Sequence, residues 1–281
     1  HPDIWPSGMK FESEIISMTA SLMNGGRSIE GTEICGCTSS GGTESIILAI
    51  KAARDYYRER KGIGKRGGGG RGGKPEVIAC VSAHAAVDKA CDIMGLKLVQ
   101  IPYDMSPHCD NPYQMDVRKT RAAITENTIM IYSSAPSFAH GVIDPIQALG
   151  ELALRYDVAL HVDCCLGGFI LPFARDEYLQ VVAEKEAQGA NKQAEAGSSG
   201  SGECVEEEEE EERRAVPAFD FSVPGVSSMS VDTHKFGYTL KGTSVVLYKS
   251  RKMRQAQYFC YPHWSGGMYT TPTIAGSRSG G

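Results

Sequence analysis

No stretch of the chain approaches 18 consecutive apolar residues, so the sequence holds no candidate membrane-spanning helix. Its start has none of the charged, apolar and small-residue order of a secretion signal. There is no pair of CxxC motifs, and a structural zinc site or other metal is not expected. The nine cysteines are odd in number and irregularly spaced, with Cys35 and Cys37, and Cys164 and Cys165, too close for ordinary bridges. Reduced thiols in a cytosol-like compartment are expected. A basic stripe is also missing. The formal net charge is −5, and once the run Glu206 to Glu212 is set aside, 29 basic residues face 27 acidic ones. Such balance argues against nucleic acid as a partner. No GK[ST] ending closes a glycine-rich loop, and no GxGxxG follows a strand, which excludes the commonest nucleotide-binding loops.

What is present, at 281 residues with 41% hydrophobic and 22% charged, is an ordinary globular composition, enough for one large domain or a domain and a half. His1 to Pro6 reads as extended, with Pro2 and Pro6 as breakers. In Lys10 to Asn24, Phe11, Ile15, Met18 and Leu22 share one face of a helix, which Asn24-Gly25-Gly26 ends. Cys37 to Ser45 reads as a small glycine-bearing loop running into a helix over Glu44 to Arg60. Residues 61–74 are glycine-rich and basic, a flexible insertion with no aromatic to stack on a base.

From Pro75 the pattern alternates. Strands are expected at Val77–Val81, Leu96–Ile101, Thr128–Tyr132 and Val158–Val162, and helices at Asp88–Met94, from an Asp116 cap to Ile124, and at Pro145–Tyr156. Residues 177–217 break it, being polar, then Gly/Ser-rich, then acidic, as expected of a disordered insertion or solvated linker. Order returns with strands at Met229–Asp232 and Thr243–Tyr248, and Tyr258–Gly281 reads as loop-like. Alternation of this kind argues an α/β fold, a mostly parallel sheet covered by helices, whose ligands lie beyond the carboxyl ends of the strands. His84, Ser133, Ser134, Asp163 and Lys235 all follow strand-like runs and so point to one edge.

Ser230 to Thr239 is the stretch around which this edge is organised. A strand end delivers Lys235, with His234 before it and Gly237 for a tight exit. A lysine there suits covalent work, because partial burial is expected to lower its pKa and free the amine. A lone lysine is more often a surface residue, Asp163 also fits a strand-end cap, and His84 a structural histidine. Ser40-Gly41-Gly42-Thr43 at a helix N-terminus offers free N–H groups and a favourable dipole to a phosphate, although an ordinary capping loop has the same composition. Together they form the set that pyridoxal phosphate requires: a lysine, an acid for the pyridine nitrogen, a flat group for the ring and a phosphate cradle.

The sequence also resembles the pyridoxal-phosphate-dependent group II decarboxylase-like enzymes. The resemblance rests on Thr38-Ser-Ser-Gly-Gly-Thr-Glu-Ser-Ile46, Ser82-Ala-His-Ala-Ala-Val-Asp-Lys89, His140-Gly-Val-Ile-Asp-Pro145, His161-Val-Asp-Cys-Cys-Leu-Gly-Gly-Phe169, Asp232-Thr-His-Lys-Phe-Gly237 and Thr271-Pro-Thr-Ile-Ala-Gly-Ser-Arg278. It implies the large domain of a fold-type-I, aspartate-aminotransferase-like enzyme. Lys235 would bond to the cofactor, Asp163 would pair with the pyridine nitrogen and His84 would stack on the ring. Gly41, Gly42, Thr43 and His234 would hold the cofactor phosphate, Lys241, Asn24 and Arg278 would serve the substrate phosphate, and Ser277 with Arg278 would fall in a loop near the dimer interface and the active site. Departures from the family pattern are Ala139, Cys164, Phe236, Leu240 and Ser279.

Within that family the motifs are closest to lyases of phosphorylated long-chain bases, which implies retro-aldol cleavage of a carbon–carbon bond to an aldehyde and phosphoethanolamine. A decarboxylase of the same fold and a non-catalytic fragment are the alternatives. The implied organisation is an N-terminal segment (1–30), a cofactor-binding large domain in two parts (31–176 and 218–281) around the acidic insertion (177–217), with the family's membrane anchor and C-terminal small domain missing. The resemblance further implies a homodimer at the cytosolic face of the endoplasmic reticulum membrane.

Overall fold

A computed structural model describes residues 5–25, 34–65, 73–106, 111–175 and 216–276. The chain divides into two compact units, His1–Phe169 with Ala218–Gly281, and Ile170–Pro217. Of the second unit only 170–175 and 216–217 are described, so most of the acidic insertion lies outside the described residues, as does 66–72 of the glycine-rich stretch.

In the first unit, strands β1 (Cys35–Ser39), β2 (Glu76–Cys80), β3 (Lys97–Ile101), β4 (Thr128–Ser134), β5 (Ala159–Asp163), β6 (Val226–Val231) and β7 (Ser244–Tyr248) form one sheet in the order β1-β7-β6-β5-β4-β2-β3. The pairs β6/β5, β5/β4, β4/β2 and β2/β3 are parallel, while β7 runs antiparallel to both β1 and β6. The central strands are buried along their whole length, which is why β4 (Thr-Ile-Met-Ile-Tyr-Ser-Ser) and β7 (Ser-Val-Val-Leu-Tyr) read as continuous apolar runs rather than alternating ones. Each fully buried Ile, Val or Leu contributes about 1.5–3 kcal/mol.

Helix α2 (Gly42–Lys61) crosses this sheet, packing on β1, β7, β6, β5 and β4. Its small residues Ala49, Ala52 and Ala53 let it approach closely, and Ile46, Ile50 and Tyr57 fill the space between. It stops at Gly62, left-handed at φ 74°, with Arg58, Arg60 and Lys61 in the last turn where cations suit the dipole. Helices α3 (Ala86–Met94), α4 (Val117–Ala123) and α5 (Ile146–Tyr156) link the parallel strands. The expected cap is present: the Asp116 carboxylate accepts from the Lys119 N–H at 3.0 Å.

Several expectations are corrected. Helix α1 spans Pro6–Leu22, four residues earlier than its apolar pattern starts, because Pro6 occupies the first turn, where its missing N–H has no helical partner to lose. Its Phe11 and Met18 are not buried; they are 59% and 61% exposed, beside exposed Trp5 and Met9. Cys37 to Ser39, taken for loop, belongs to edge strand β1. Helix α6 (Arg251–Gln257) falls where no element is expected from the sequence, and the hairpin β8 (Phe259–Tyr261) with β9 (Tyr269–Thr271) occupies the stretch expected to be loop-like. No helix among the described residues is long and apolar enough to cross a membrane.

Candidate active site

The carboxyl ends of the parallel strands, the N-terminus of α2 and the β6–β7 connection enclose a cavity of about 430 Å³. Lys235, Asp163, His84, Gly41, Gly42, Thr43, His234 and Lys241 all line it, together with Asp232, Cys165, Pro136 and Phe138.

Asp163 ends β5 and is buried on three donors. The Tyr132 hydroxyl donates to Oδ2, and the Cys165 N–H and Ser230 hydroxyl donate to Oδ1 at 2.9 and 3.2 Å. Burial alone would raise its pKa, but the hydrogen bonds from Cys165 and Tyr132 outweigh it and hold the carboxyl below the usual range. The donors are themselves ordered. Because the Ser230 proton is directed at Asp163, the Ser230 oxygen accepts from His161 Nε2 (3.2 Å), and His161 Nδ1 accepts from the Ser228 hydroxyl (2.9 Å). His161 is therefore neutral, in keeping with burial, which pushes its pKa down to about 4. An ionised carboxylate on the cavity wall is the result.

Lys235 sits in the turn after β6 and donates from Nζ to Asp232 Oδ2 at 2.9 Å. The expected lowering of its pKa does not occur. Burial does disfavour the ammonium, but the hydrogen bond and charge of Asp232 prevail and raise the pKa above the ordinary lysine value. Asp232 is 2% exposed, and its Oδ1 is buried without a hydrogen-bond partner among the described residues. His234 donates from Nδ1 to the Thr243 carbonyl at 2.5 Å, which turns Nε2 toward Asp232 Oδ2, at 3.6 Å.

The N-terminus of α2 is built for close approach. A Cβ on Gly42 would lie 2.8 Å from both Asp232 Oδ2 and Cys165 Sγ, so no larger residue fits without displacing them. Glu44, in the first turn, accepts from the Ser40 N–H at 2.7 Å and the Ile274 N–H at 2.9 Å. Burial pushes its pKa up, and these bonds bring it below the usual range. That arrangement fixes the loop and leaves the helix-start N–H groups without helical partners. The His84 ring accepts at Nδ1 from the Ala86 N–H (3.1 Å) and meets Phe138 edge-on at 6.4 Å.

Not every expected residue comes here. Ser133 and Ser134 are buried inside β4, where the Ser133 hydroxyl donates to the His161 carbonyl and the Ser134 N–H to Asp144, so they do not line the cavity. Asn24 terminates α1 in the left-handed region (φ 57°) and donates to Asp220 Oδ2 at 2.6 Å, away from the cavity lining. Arg278 and Ser277 lie outside the described residues. Sequence reasoning missed Tyr132, Ser230, Cys165 and Asp232. Only Asp232 carried a local signal, its spacing of three residues from Lys235, which brings two side chains together on a turn.

The model of the pyridoxal-dependent decarboxylase conserved domain matches residues 2–185. The chain belongs to the pyridoxal-dependent decarboxylase family. Among curated relatives of this family member, sphingosine-1-phosphate lyase of Arabidopsis thaliana is 43% identical over 280 residues, covering 100% of this chain and 42% of that protein. The chain thus spans about two fifths of the length of the curated relatives it matches. Among solved structures, the sphingosine-1-phosphate lyase of Burkholderia pseudomallei superposes with a TM-score of 0.77 at 37% identity, covering 99% of this chain and 53% of that one. Glutamate decarboxylase of Lactobacillus brevis, at 19% identity, shares the fold (TM-score 0.71, covering 98% of this chain and 53% of that one).

The cavity fits the family's cofactor on its own chemistry. It offers a primary amine at Lys235, an ionised carboxylate at Asp163, an aromatic ring at His84, and a helix start whose Gly42 leaves no room for a side chain.

Proposed function

We propose that this chain is the cofactor-binding part of a carbon–carbon lyase that cleaves phosphorylated sphingoid bases to a long-chain aldehyde and phosphoethanolamine. The observation that carries the reading is the gathering of Lys235, Asp163, His84 and the α2 N-terminus around one cavity that also has a second cation, Lys241, on its lining. A decarboxylase substrate brings a carboxylate and no phosphate. Lys241 and the identity to lyases over the whole chain, against 19% to the glutamate decarboxylase, favour the phosphorylated amine.

Bound pyridoxal phosphate supplies an aldehyde for amines and a conjugated ring that takes up the electron pair of the broken bond. Lys235 would anchor it through its Nζ amine. Asp163, held ionised by Tyr132, Ser230 and Cys165, keeps the ring nitrogen protonated. Gly41, Gly42 and Thr43, with His234, receive the cofactor phosphate, and His84 covers the ring. Lys241 holds the substrate phosphate, and Asn24 and Arg278 are assigned to the same end of the substrate by resemblance alone. As the bond beside the amine-bearing carbon breaks, the proton of the neighbouring hydroxyl passes to Lys235 or to a phosphate group, and the carbon left behind is reprotonated.

On this reading the working enzyme is a homodimer at the cytosolic face of the endoplasmic reticulum membrane. The exposed apolar residues of α1 support a covered face there. The domain boundaries follow the same reading, with 177–217 an insertion into the cofactor-binding domain. Incubation of the full-length protein and cofactor with a phosphorylated sphingoid base, and separately with glutamate, tests it: aldehyde and phosphoethanolamine are expected from the first and no carbon dioxide from the second. The reverse result overturns it.

A further inference from the structure

We propose that Asp232 is a proton acceptor for Lys235, taking the ammonium proton when an anion seats on the N-terminus of α2, so that anion binding itself frees the amine. This rests on the reading of that helix start as a phosphate cradle.

The geometry is unusual for a structural ion pair. Asp232 is 2% exposed, and Lys235 engages only its Oδ2, at 2.9 Å. The second oxygen, Oδ1, is buried without a hydrogen-bond partner among the described residues, which a carboxylate tolerates poorly. Both oxygens face the helix start, lying 2.8 and 2.9 Å from the place a Gly42 Cβ would occupy. A carboxylate at a helix N-terminus is stabilised by the dipole and the open N–H groups. In the absence of a ligand, Asp232 stands with Glu44 as an anion at this helix start, and its hydrogen bond and charge keep Lys235 protonated.

An incoming phosphate competes for the same positive end. The phosphate then adds a further negative charge beside Asp232 and Glu44. Like charges disfavour the ionised form of the less supported carboxylate, Asp232, whose Oδ1 has no hydrogen-bond partner among the described residues, whereas Glu44 accepts from two backbone N–H groups. Transfer of one proton from Lys235 Nζ to Asp232 resolves it. An N–H bond breaks, an O–H bond forms, and no charge enters or leaves the protein. The proton is taken at Oδ2, the oxygen Lys235 already engages, and the neutral carboxyl no longer repels the anion. The amine is left uncharged, the form that attacks an aldehyde. The other ionisable groups around the pair are His234, whose Nε2 lies 3.6 Å from Asp232 Oδ2, and Glu44, His84, Cys165, Asp163 and Lys241 on the cavity lining. His234 donates from Nδ1 to the Thr243 carbonyl, Asp163 is engaged by its three donors, and burial raises the Cys165 thiol well above its ordinary pKa.

The test is the rate at which Lys235 in cofactor-free protein is carbamylated by cyanate at mildly alkaline pH, resolved from Lys241 by mass spectrometry, with and without inorganic phosphate. Thermal stabilisation by phosphate reports binding separately. Ordinary electrostatics predicts that a bound anion slows labelling by holding the ammonium. Proton transfer predicts acceleration, on the order of tenfold for each unit by which the apparent pKa falls. In Asp232→Asn, which can donate to phosphate but cannot accept the proton, Lys235 labels faster without phosphate, and phosphate slows it. Binding with slowed or unchanged labelling in the parent overturns the transfer while leaving the cradle intact. Absence of stabilisation by phosphate overturns the cradle and the transfer with it.

Discussion

At the scale of single residues, the site depends on groups that lie behind the cavity lining. Tyr132, Ser230 and His161 exist here to keep Asp163 charged in a place where burial alone would neutralise it. Asp163→Ala is expected to lower turnover by on the order of 10³-fold while leaving the fold intact, since it removes one preorganised charge partner of the reaction. Near-normal turnover with an unchanged melting temperature would remove Asp163 from the site.

The same network has a pH signature. His161, with its pKa pushed to about 4, resists protonation in the folded state, so its contribution is present above the ordinary histidine value of 6.5 and is lost as pH falls toward 4. That loss is worth about 3 kcal/mol. Asp144 acts oppositely. Burial raises its pKa to about 6, so its penalty is felt at neutral pH and relieved as pH falls below 6. The two largely offset one another in the parent. In His161→Asn the Asp144 trend stands alone, and denaturant unfolding should show the variant gaining on the parent by about 3 kcal/mol between neutral pH and pH 4. Parallel curves would show that His161 is not held neutral.

At the scale of elements, what was legible in the sequence and what was not divides along a physical line. Buried parallel strands, helix caps and a glycine-bearing helix start announce themselves through composition and spacing, and Lys235, Asp163, His84 and Gly41 to Thr43 follow from where those elements end. Direction does not announce itself: Ser244–Tyr248 reads equally well as a parallel or an antiparallel strand, and only its pairing with both β1 and β6 settles it. Nor does partnership. Tyr132 and Ser230 are inward residues of apolar strands whose role depends on β4 and β6 flanking β5. The apolar stripe of α1 is genuine helical periodicity, but periodicity says that a face is apolar without saying that this chain is what covers it. The element-scale prediction concerns α2. Gly42→Ala places a methyl group against the Asp232 carboxylate and Cys165, so cofactor affinity should fall at least tenfold, about 1.4 kcal/mol. Titration of the visible cofactor band measures this, and unchanged affinity would mean that Asp232 and Cys165 yield freely.

At the scale of the whole molecule, α1 and the insertion make opposite predictions. If the proposed homodimer uses the exposed apolar face of α1, Phe11→Glu with Met18→Glu puts charge there and is expected to shift sedimentation from dimer to monomer in the full-length protein, because obligate interfaces are apolar at their centre. A dimer that persists would assign that face elsewhere. Deletion of 197–214 is expected to leave turnover unchanged, and its loss would give the acidic run a role.

The antiparallel setting of β7 bears on which parts of this chain can drift in length. A strand that joins a parallel neighbour must be reached by a crossover long enough to traverse the sheet, and such a connection absorbs added residues at little entropic penalty. Residues 177–217 fall between β5 and β6, in one of these. The lysine lies instead between β6 and β7, two hydrogen-bonded antiparallel neighbours that fix both ends of the turn. One inserted residue there would swing the amine away from Asp232 or break the register of β7. Natural variants of this chain should therefore differ widely in length across the first connection and scarcely at all across the second.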